Sequence, residues 1–429
     1  MSTEAAISER AAISRRLATT LLERAAKISC CTERPGEILR TFLSPAMDEV
    51  HARMRPWFED IGMSVNVDTF GNLRAVYESE AHESSPVLLI ASHLDSVPNA
   101  GAYDGPLGVL MGLALVEGLG GRRLPYAIEV IGFSDEEGTR FGLPFLGSRG
   151  VMGTLSDTDI LESDESGVSV QEALTKYREA HPEAIPAVLC PTTVGYLEFH
   201  IEQGPVLESR NLSLGVVEAV AGQSRCHLTF RGSAGHAGTS PMGLRRDALA
   251  AAALWMTRCE SIAVGIEGLV ATVGKVSVEP GAVNVIPGIA RCSLDVRHRD
   301  DDVRSHAVDV FKREARAIAT ERGIAIEIDE YHNQPAVQLN SAMISIAEKA
   351  VGEAGHGHML MTSGAGHDAM VIAPKVPTAM IFLRSPGGIS HHPDESVLPE
   401  DVEAAIHAGL CFLDEFASGA KKRGNDPRA

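Results

Sequence analysis

Four things are missing from this 429-residue chain: paired cysteines, a basic cluster, a long apolar run, and any repeat or low-complexity tract. The seven cysteines (30, 31, 190, 226, 259, 292 and 411) are odd in number and form no CxxC. That argues against a secreted disulfide framework and leaves reduced, mostly buried thiols as the expectation. Against 57 acidic residues stand 38 lysines and arginines, a formal charge of −19 with no basic patch. No nucleic-acid partner is therefore expected. The stretch 2–24 is amphipathic (Ile13, Leu17, Leu21, Leu22) and lacks the continuous apolar core of a signal peptide. No other segment reaches membrane-spanning length, so no membrane partner and a cytoplasmic location are expected.

What remains is ordinary globular material, 44% apolar and 22% charged. The length exceeds what one core usually supports, so two domains are expected. Residues 65–147 read strand, loop, strand, loop, helix, strand, with strands at 86–91 and 128–133 and a helix at 107–119. Such alternation predicts a mainly parallel α/β sheet whose functional loops follow the carboxyl ends of strands. From about 217 the order changes to strand 226–231, helix 246–259, strands 269–278 and 290–298, helix 301–322 and strand 324–330. This βαββαβ order is that of a small ferredoxin-like α+β sandwich. After 334 the α/β alternation returns. The expected domains are thus a discontinuous catalytic unit, 1–216 with 334–429, and an insert at 217–333. The polar tail 419–429 is expected to fray.

Five segments far apart in the chain each set a His or carboxylate among small or turn-forming residues. They are Ser92-His93-Leu94-Asp95, Tyr103-Asp104-Gly105, Ser134-Asp135-Glu136-Glu137-Gly138, His200-Ile201-Glu202-Gln203-Gly204 and Ser390-His391-His392. Together they offer the N and O ligands, and the base, that two divalent cations need to hydrolyse an unreactive amide. His93 and Asp95, two apart at a strand exit, are either a ligand with its orienting carboxylate or a structural pair. Asp104 sits in a turn leading into a helix, where a carboxylate can bridge two metals. Adjacent Glu136 and Glu137 repel each other, which raises at least one pKa unless cations intervene. One of them can bind metal while the other takes a proton from water. His200 ends an apolar segment, and His391 lies in a Gly-rich turn; alone, the first reads more readily as a structural His and the second as a surface-turn His. Mixed N/O ligation without thiolate suits Zn²⁺, Mn²⁺ or Co²⁺. In the insert, His236 lies in a loop of small residues, and Asn284 and Arg297 are further candidates. An Arg fork matches a substrate carboxylate, and His or Asn can stabilise an oxyanion.

In combination these segments resemble the dinuclear-metal amidohydrolases of the M20 metallopeptidase clan. Within it they resemble the branch of N-carbamoyl-L-amino-acid hydrolases, β-ureidopropionases and allantoate amidohydrolases. The resemblance runs from about Phe70 to Leu413. Its branch-specific parts are Asp135-Glu136-Glu137-Gly138-Thr139-Arg140-Phe141, His200 to Gly204, Gly364-Ala365-Gly366-His367-Asp368-Ala369 and Ser390-His391-His392. It implies His93, Asp104 and His391 on one metal, Asp104, Glu137 and His200 on the other, and Glu136 as general base. His391 rather than His392 is the ligand because the family motif sets it directly after the Ser. Gln203, His236, Asn284, Arg297, Gly366 and His367 would contact substrate, His236 also acting catalytically on the oxyanion. The resemblance further implies a homodimer in which the insert is both lid and dimerisation domain, with His236 and Asn284 reaching the partner's site. Peptidases of the clan usually carry an acidic residue at the position of His200, which points to a ureido amide rather than a peptide. The implied substrate is an N-carbamoyl-L-amino acid, cleaved to ammonia, CO₂ and the amino acid. Allantoate or N-carbamoyl-β-alanine is the alternative, and a dipeptidase or aminoacylase is a more distant one.

Overall fold

The structure is a computed structural model, in which residues 3–81 and 85–424 are described. The chain divides into two compact units. The first comprises Met1–Glu218, Leu339–Met361 and Gly366–Ala429; the second comprises Ala219–Gln338 and Thr362–Ala365.

The first unit opens with α1 (Thr3–Ile28), α2 (Pro45–Glu59) and the strand pair β1 (Ser64–Val67) and β2 (Leu73–Tyr77). Then come β3 (Val87–His93), α3 (Pro106–Gly118) and β4 (Ala127–Phe133), followed by α4 (Leu146–Met152) and α5 (Val170–Ala180). β5 (Thr193–Ile201), α6 (Val206–Ser209) and β6 (Leu214–Val220) lead out of it. α3 starts on Pro106, whose fixed φ and missing N–H suit a first helical turn. It has no polar face, because Pro106 to Val116 are all buried. Gly112 lets it lie close to the sheet: a Cβ there would stand 2.9 Å from Val130 Cγ1.

The second unit runs β7 (Gly222–Arg231), β8 (Gly235–His236), α7 (Ala248–Val264), β9 (Val270–Thr272), β10 (Val276–Glu279), β11 (Val285–Ile286), β12 (Ile289–His298), α8 (Asp301–Glu321), β13 (Ala325–Gln334) and β14 (Val337–Gln338). Its sheet has the antiparallel order β10-β12-β7-β13. Along β7 alternate residues (Ser224, Cys226, Leu228, Phe230) are buried, and α7 and α8 supply Trp255 and Phe311 to the same core. The single strand expected at 269–278 is two short strands, β9 and β10, which pair with different stretches of β12. The step between them falls at Val273–Lys275, where Lys275 N–H donates to the Ser293 hydroxyl at 2.9 Å rather than to a ladder carbonyl.

The chain returns to the first unit through α9 (Ser341–Glu353), β15 (Leu360–Ser363), α10 (Ala369–Ile372), β16 (Thr378–Leu383) and α11 (Pro399–Gly424). The tail expected to fray is helical to Gly424, and 425–429 lie outside the described residues. β16 pairs parallel with β5 and antiparallel with β6, so the sheet runs β1-β2-β4-β3-β5-β16-β6. Its four central strands, β4, β3, β5 and β16, are parallel, and the flanking pairs are antiparallel. Parallel strands covered on both faces read as near-continuous apolar runs, as β3 does from Val87 to Ala91. All seven residues of each of β3 and β4 are buried, and the one charge in β4, Glu129, accepts from Arg74 Nε at 2.7 Å. All four carboxyl ends open on one edge of the sheet. The chain passes from β3 to β4 on one side and reaches β5 on the other, which makes the gap between β3 and β5 a topological switch point.

The insert's core hangs on Trp255, fully buried, with Nε1–H donating to Phe311 O at 3.0 Å. Trp255→Ala should cost about 3–5 kcal/mol in urea unfolding. Leu254→Ala on the exposed face of α7 should shift it by less than about 0.5 kcal/mol. Equal losses would mean that α7 buries a different face.

Candidate metal centre

The four carboxyl ends of the parallel strands supply the whole cluster. β3 ends on His93, and Asp95 follows it. The β3–α3 connection carries Asp104. β4 leads into Asp135, Glu136 and Glu137, β5 carries His200 and leads to Gln203, and β16 leads to Ser385, Ser390 and His391. His93, Asp104, Glu136 and His200 are buried, whereas the His391 side chain is half-exposed. Ligand atoms of His93, Asp104 and His200 lie within 4.8 Å of one another, as do those of Asp104, Glu137 and His391, and those of His93, Glu136 and Glu137.

Asp104 divides these ligands between its two oxygens. His93 Nε2 and His200 Nε2 stand 3.7 and 3.3 Å from Oδ1 and 3.5 Å from each other. His391 Nε2 stands 3.2 Å from Oδ2 and 3.3 Å from Glu137 Oε1. The expected grouping, His391 with His93 and Glu137 with His200, is therefore corrected: the pairs are His93 with His200 and Glu137 with His391. The reason is sheet register. Leu88, Leu89 and Ile90 of β3 face Gly195, Tyr196 and Leu197 of β5, and the same offset carried forward sets His93 beside His200. His391 and Glu137 approach instead on loops.

Asp104 Oδ1 is buried with no hydrogen-bond partner, although a buried carboxylate oxygen without one is costly. Two imidazole nitrogens face it. An oxygen and nitrogen cage of this size and composition fits a divalent cation, and the second triad at Oδ2 fits another.

The charges fit the same reading. Burial holds the Glu136 carboxyl well above the usual range, and Glu137, Asp368 and Asp95 raise it further against the opposing pull of His93. Burial alone would raise Asp104, but His391 and His93 outweigh it and hold it well below. Burial lowers His200 to about 4, so its imidazole is neutral and free to ligate. His391 is raised to about 10 by hydrogen bonds to Asp104 and Glu137. Metal binding at His391 must therefore release a proton.

Other residues orient these ligands. Asp95 accepts from Glu136 N–H at 2.9 Å and Glu137 N–H at 3.1 Å, and its Oδ1 lies 3.3 Å from His93 Nδ1. Gly105, at φ +86°, has no room for a side chain, since a Cβ would stand 2.5 Å from the His93 ring. The Gln203 amide donates to Asp104 Oδ2 at 2.9 Å and to Ser390 Oγ at 3.2 Å, so in this structure it holds the bridging carboxylate. His367 is buried, its ring 4.5 Å from that of His200, and a Cβ on Gly366 would lie 3.9 Å from Glu136 Oε1. Sequence reasoning missed Glu198 and Glu395, and did not single out Asp368. Glu198 is a charge inside the apolar run of β5, itself a readable signal. Burial raises its pKa to about 7, while the Tyr196 hydroxyl and Ala369 N–H donate to Oε2 at 2.8 and 3.1 Å.

The remaining candidates belong to the second unit. His236 is on β8 and Asn284 immediately precedes β11; the two strands pair, and Ala237 N–H donates to Asn284 O at 2.9 Å. Gly238 N–H donates to His236 Nδ1 at 3.1 Å, which leaves the ring proton of the neutral form on Nε2, facing solvent. Arg297 on β12 donates from Nε and Nη2 to Asp295 at 2.9 and 3.2 Å, and from Nη1 to Gly364 O at 2.6 Å. Three of its five N–H groups are thus engaged, leaving a fork of two.

Residues 89–415 match the family described as Peptidase family M20/M25/M40. A probable allantoate deiminase of Oryza sativa subsp. japonica is 38% identical over 421 residues, spanning 90% of this chain and 86% of that protein. An N-carbamoyl-L-amino acid amidohydrolase of Geobacillus stearothermophilus is 38% identical over 367 residues, spanning 84% and 89%. Among solved structures, an amidase of the hydantoinase/carbamoylase family from Burkholderia multivorans superposes with a TM-score of 0.86 at 32% identity, over 94% of this chain and 97% of that one. The chain belongs to the M20 peptidase family and is a hydrolase of linear amide C–N bonds with a divalent-metal cluster.

Proposed function

We propose that this enzyme hydrolyses the ureido C–N bond of an N-carbamoyl-L-amino acid, releasing ammonia, CO₂ and the amino acid. The observation that carries the reading is the ligand set: a neutral, buried His200 beside His93, on one oxygen of a bridging Asp104 whose other oxygen faces Glu137 and His391. Relatives named for carbamoyl-amino-acid and for allantoate hydrolysis support a ureido substrate. Allantoate, which also pairs a ureido group with a carboxylate, is the second reading, favoured by the name of the Oryza relative.

In this reading His93, Asp104, Glu137, His200 and His391 would hold two divalent cations, Zn²⁺, Mn²⁺ or Co²⁺. Bound there, such ions would supply Lewis-acid chemistry, polarising the ureido carbonyl and lowering the pKa of the attacking water. Glu136, next to the ligand Glu137 but free itself, takes the proton of the attacking water and returns it to the departing nitrogen. Arg297 receives the substrate carboxylate on its two free N–H groups. Gln203, Gly366 and His367 line the substrate, and His236 Nε2–H and Asn284 steady the oxyanion. The insert acts as lid and as the dimerisation surface of a homodimer, with His236 and Asn284 serving the partner's site. Met242, Leu244 and Val283, exposed around the β8–β11 pair, support that role.

Two measurements test the reading. Ammonia release by the Mn²⁺-, Co²⁺- and Zn²⁺-loaded enzyme should be found on N-carbamoyl-α-amino acids or allantoate and not on dipeptides. Silence on every ureido compound, N-carbamoyl-β-alanine included, sinks it. Glu136→Gln should keep both metals by elemental analysis while turnover falls by about 10²–10⁴-fold. Near-normal turnover in that variant removes Glu136 from the role of base.

A further inference from the structure

Glu395 lies outside the five ligand-bearing segments, yet it holds the bridging ligand from behind. It is 6% exposed. Its Oε1 accepts from two successive backbone N–H groups, Tyr103 at 2.8 Å and Asp104 at 3.0 Å. Its Oε2 lies 3.5 Å from the Ser390 hydroxyl, which donates to Asp104 Oδ2 at 2.8 Å. The chain around Asp104 is shaped to this carboxylate, for any Cβ at Gly101 would fall inside the Glu395 side chain.

The short loop 390–395 therefore meets Asp104 at three points. His391 stands on Oδ2, Ser390 donates to the same oxygen, and Glu395 takes the backbone N–H. The residues between β3 and α3 that carry Asp104 have no strand or helix of their own to hold them. His93 and His200, by contrast, are fixed by the strands β3 and β5. The two halves of the cluster thus depend on different supports.

We propose that Glu395 is a positioning residue that locks Asp104 and His391 into one rigid unit. It would selectively control the metal position formed by Asp104 Oδ2, Glu137 and His391. The inference rests on the two-cation reading above. What matters is the acceptor oxygen at the two N–H groups rather than the negative charge. Carboxylate partners that orient metal ligands typically change metal affinity by about 10–100-fold when removed.

The test uses the full-length protein, stripped with chelator and titrated with Zn²⁺ or Mn²⁺, with bound metal counted by elemental analysis and affinities taken by calorimetry. Glu395→Ala should keep one tight equivalent and bind the second about 10–100-fold more weakly. Glu395→Gln, whose amide oxygen can take both N–H groups, should bind two equivalents within a few-fold of the unaltered enzyme. Glu395→Asp keeps the charge but withdraws the oxygen by one methylene, and should behave like the alanine variant, covering the case in which the latter fails to fold. Two full-affinity equivalents in Glu395→Ala or Glu395→Asp overturn the proposal. So does a parallel loss of both equivalents with a lower melting temperature in all three variants, which would mark a merely structural residue. An unaltered enzyme that binds no divalent metal overturns the two-cation reading itself, and is told apart because the failure appears before any substitution.

Discussion

The constraint on which the rest depends is negative charge held out of water. Asp95, Asp104, Asp135, Glu136, Glu198 and Asp368 are all buried in the first unit. Burial and mutual repulsion push Asp135, Glu136 and Asp368 well above the usual carboxylate range. Such a cluster is stable only if cations, protons or hydrogen-bond donors offset it. Asp95 shows the donor solution, each of its oxygens taking one N–H of the Glu136–Glu137 pair. Arg40, fully buried behind it and donating to Leu94 O at 2.7 Å, shows the cationic one. Burial lowers the Arg40 pKa to about 10, with Asp95 opposing that fall. Asp104 Oδ1 has neither solution, and that oxygen faces the two histidines.

The loops that hold this arrangement adopt backbone conformations that side chains rarely take. Phe145, Gln203 and His391 have φ of 67°, 59° and 55°, each costing about 1–3 kcal/mol that the surrounding contacts must outweigh. The compelling contacts can be named. Phe145 N–H donates to Glu136 O at 3.1 Å, and Gln203 N–H donates to Ser385 Oγ at 3.0 Å. His391 follows Ser390, whose hydroxyl is fixed on Asp104. Strain of this kind sits where side chains must converge, and it leaves little freedom for the ligands to relax apart.

How much could be read in the sequence follows from what kind of physics each feature obeys. The central strands were legible because burial on both faces writes an apolar run into β3 and a mostly apolar one, broken by Glu129, into β4. The ligand types were legible because few residues bind hard or borderline cations. Which ligand joins which was not, since register between parallel strands is set by packing across distant segments. The break between β9 and β10 left a signal in Gly274-Lys275, a glycine and a charge between apolar stretches, and the Lys275–Ser293 hydrogen bond marks the step in the structure. Glu198 could have been found as a charge inside a buried strand. Glu395 could not, for Pro393-Asp394-Glu395-Ser396 reads as a solvated turn.

The ligand balance also bears on the choice of substrate. Asp104 and Glu137 bring two negative charges to the cluster, while His93, His200 and His391 can bring none once deprotonated. An acidic residue at position 200 would add a third. In the proposed reading the neutral imidazole therefore leaves two cations less compensated, and less compensated cations polarise a carbonyl more strongly. A ureido carbon gains most from that, because two nitrogens already feed electron density into it and make it a poorer electrophile than a peptide carbonyl. In that reading the same imbalance suits an anionic substrate, so the charge of the ligand set and the proposed role of Arg297 as a carboxylate anchor would favour the same class of molecule.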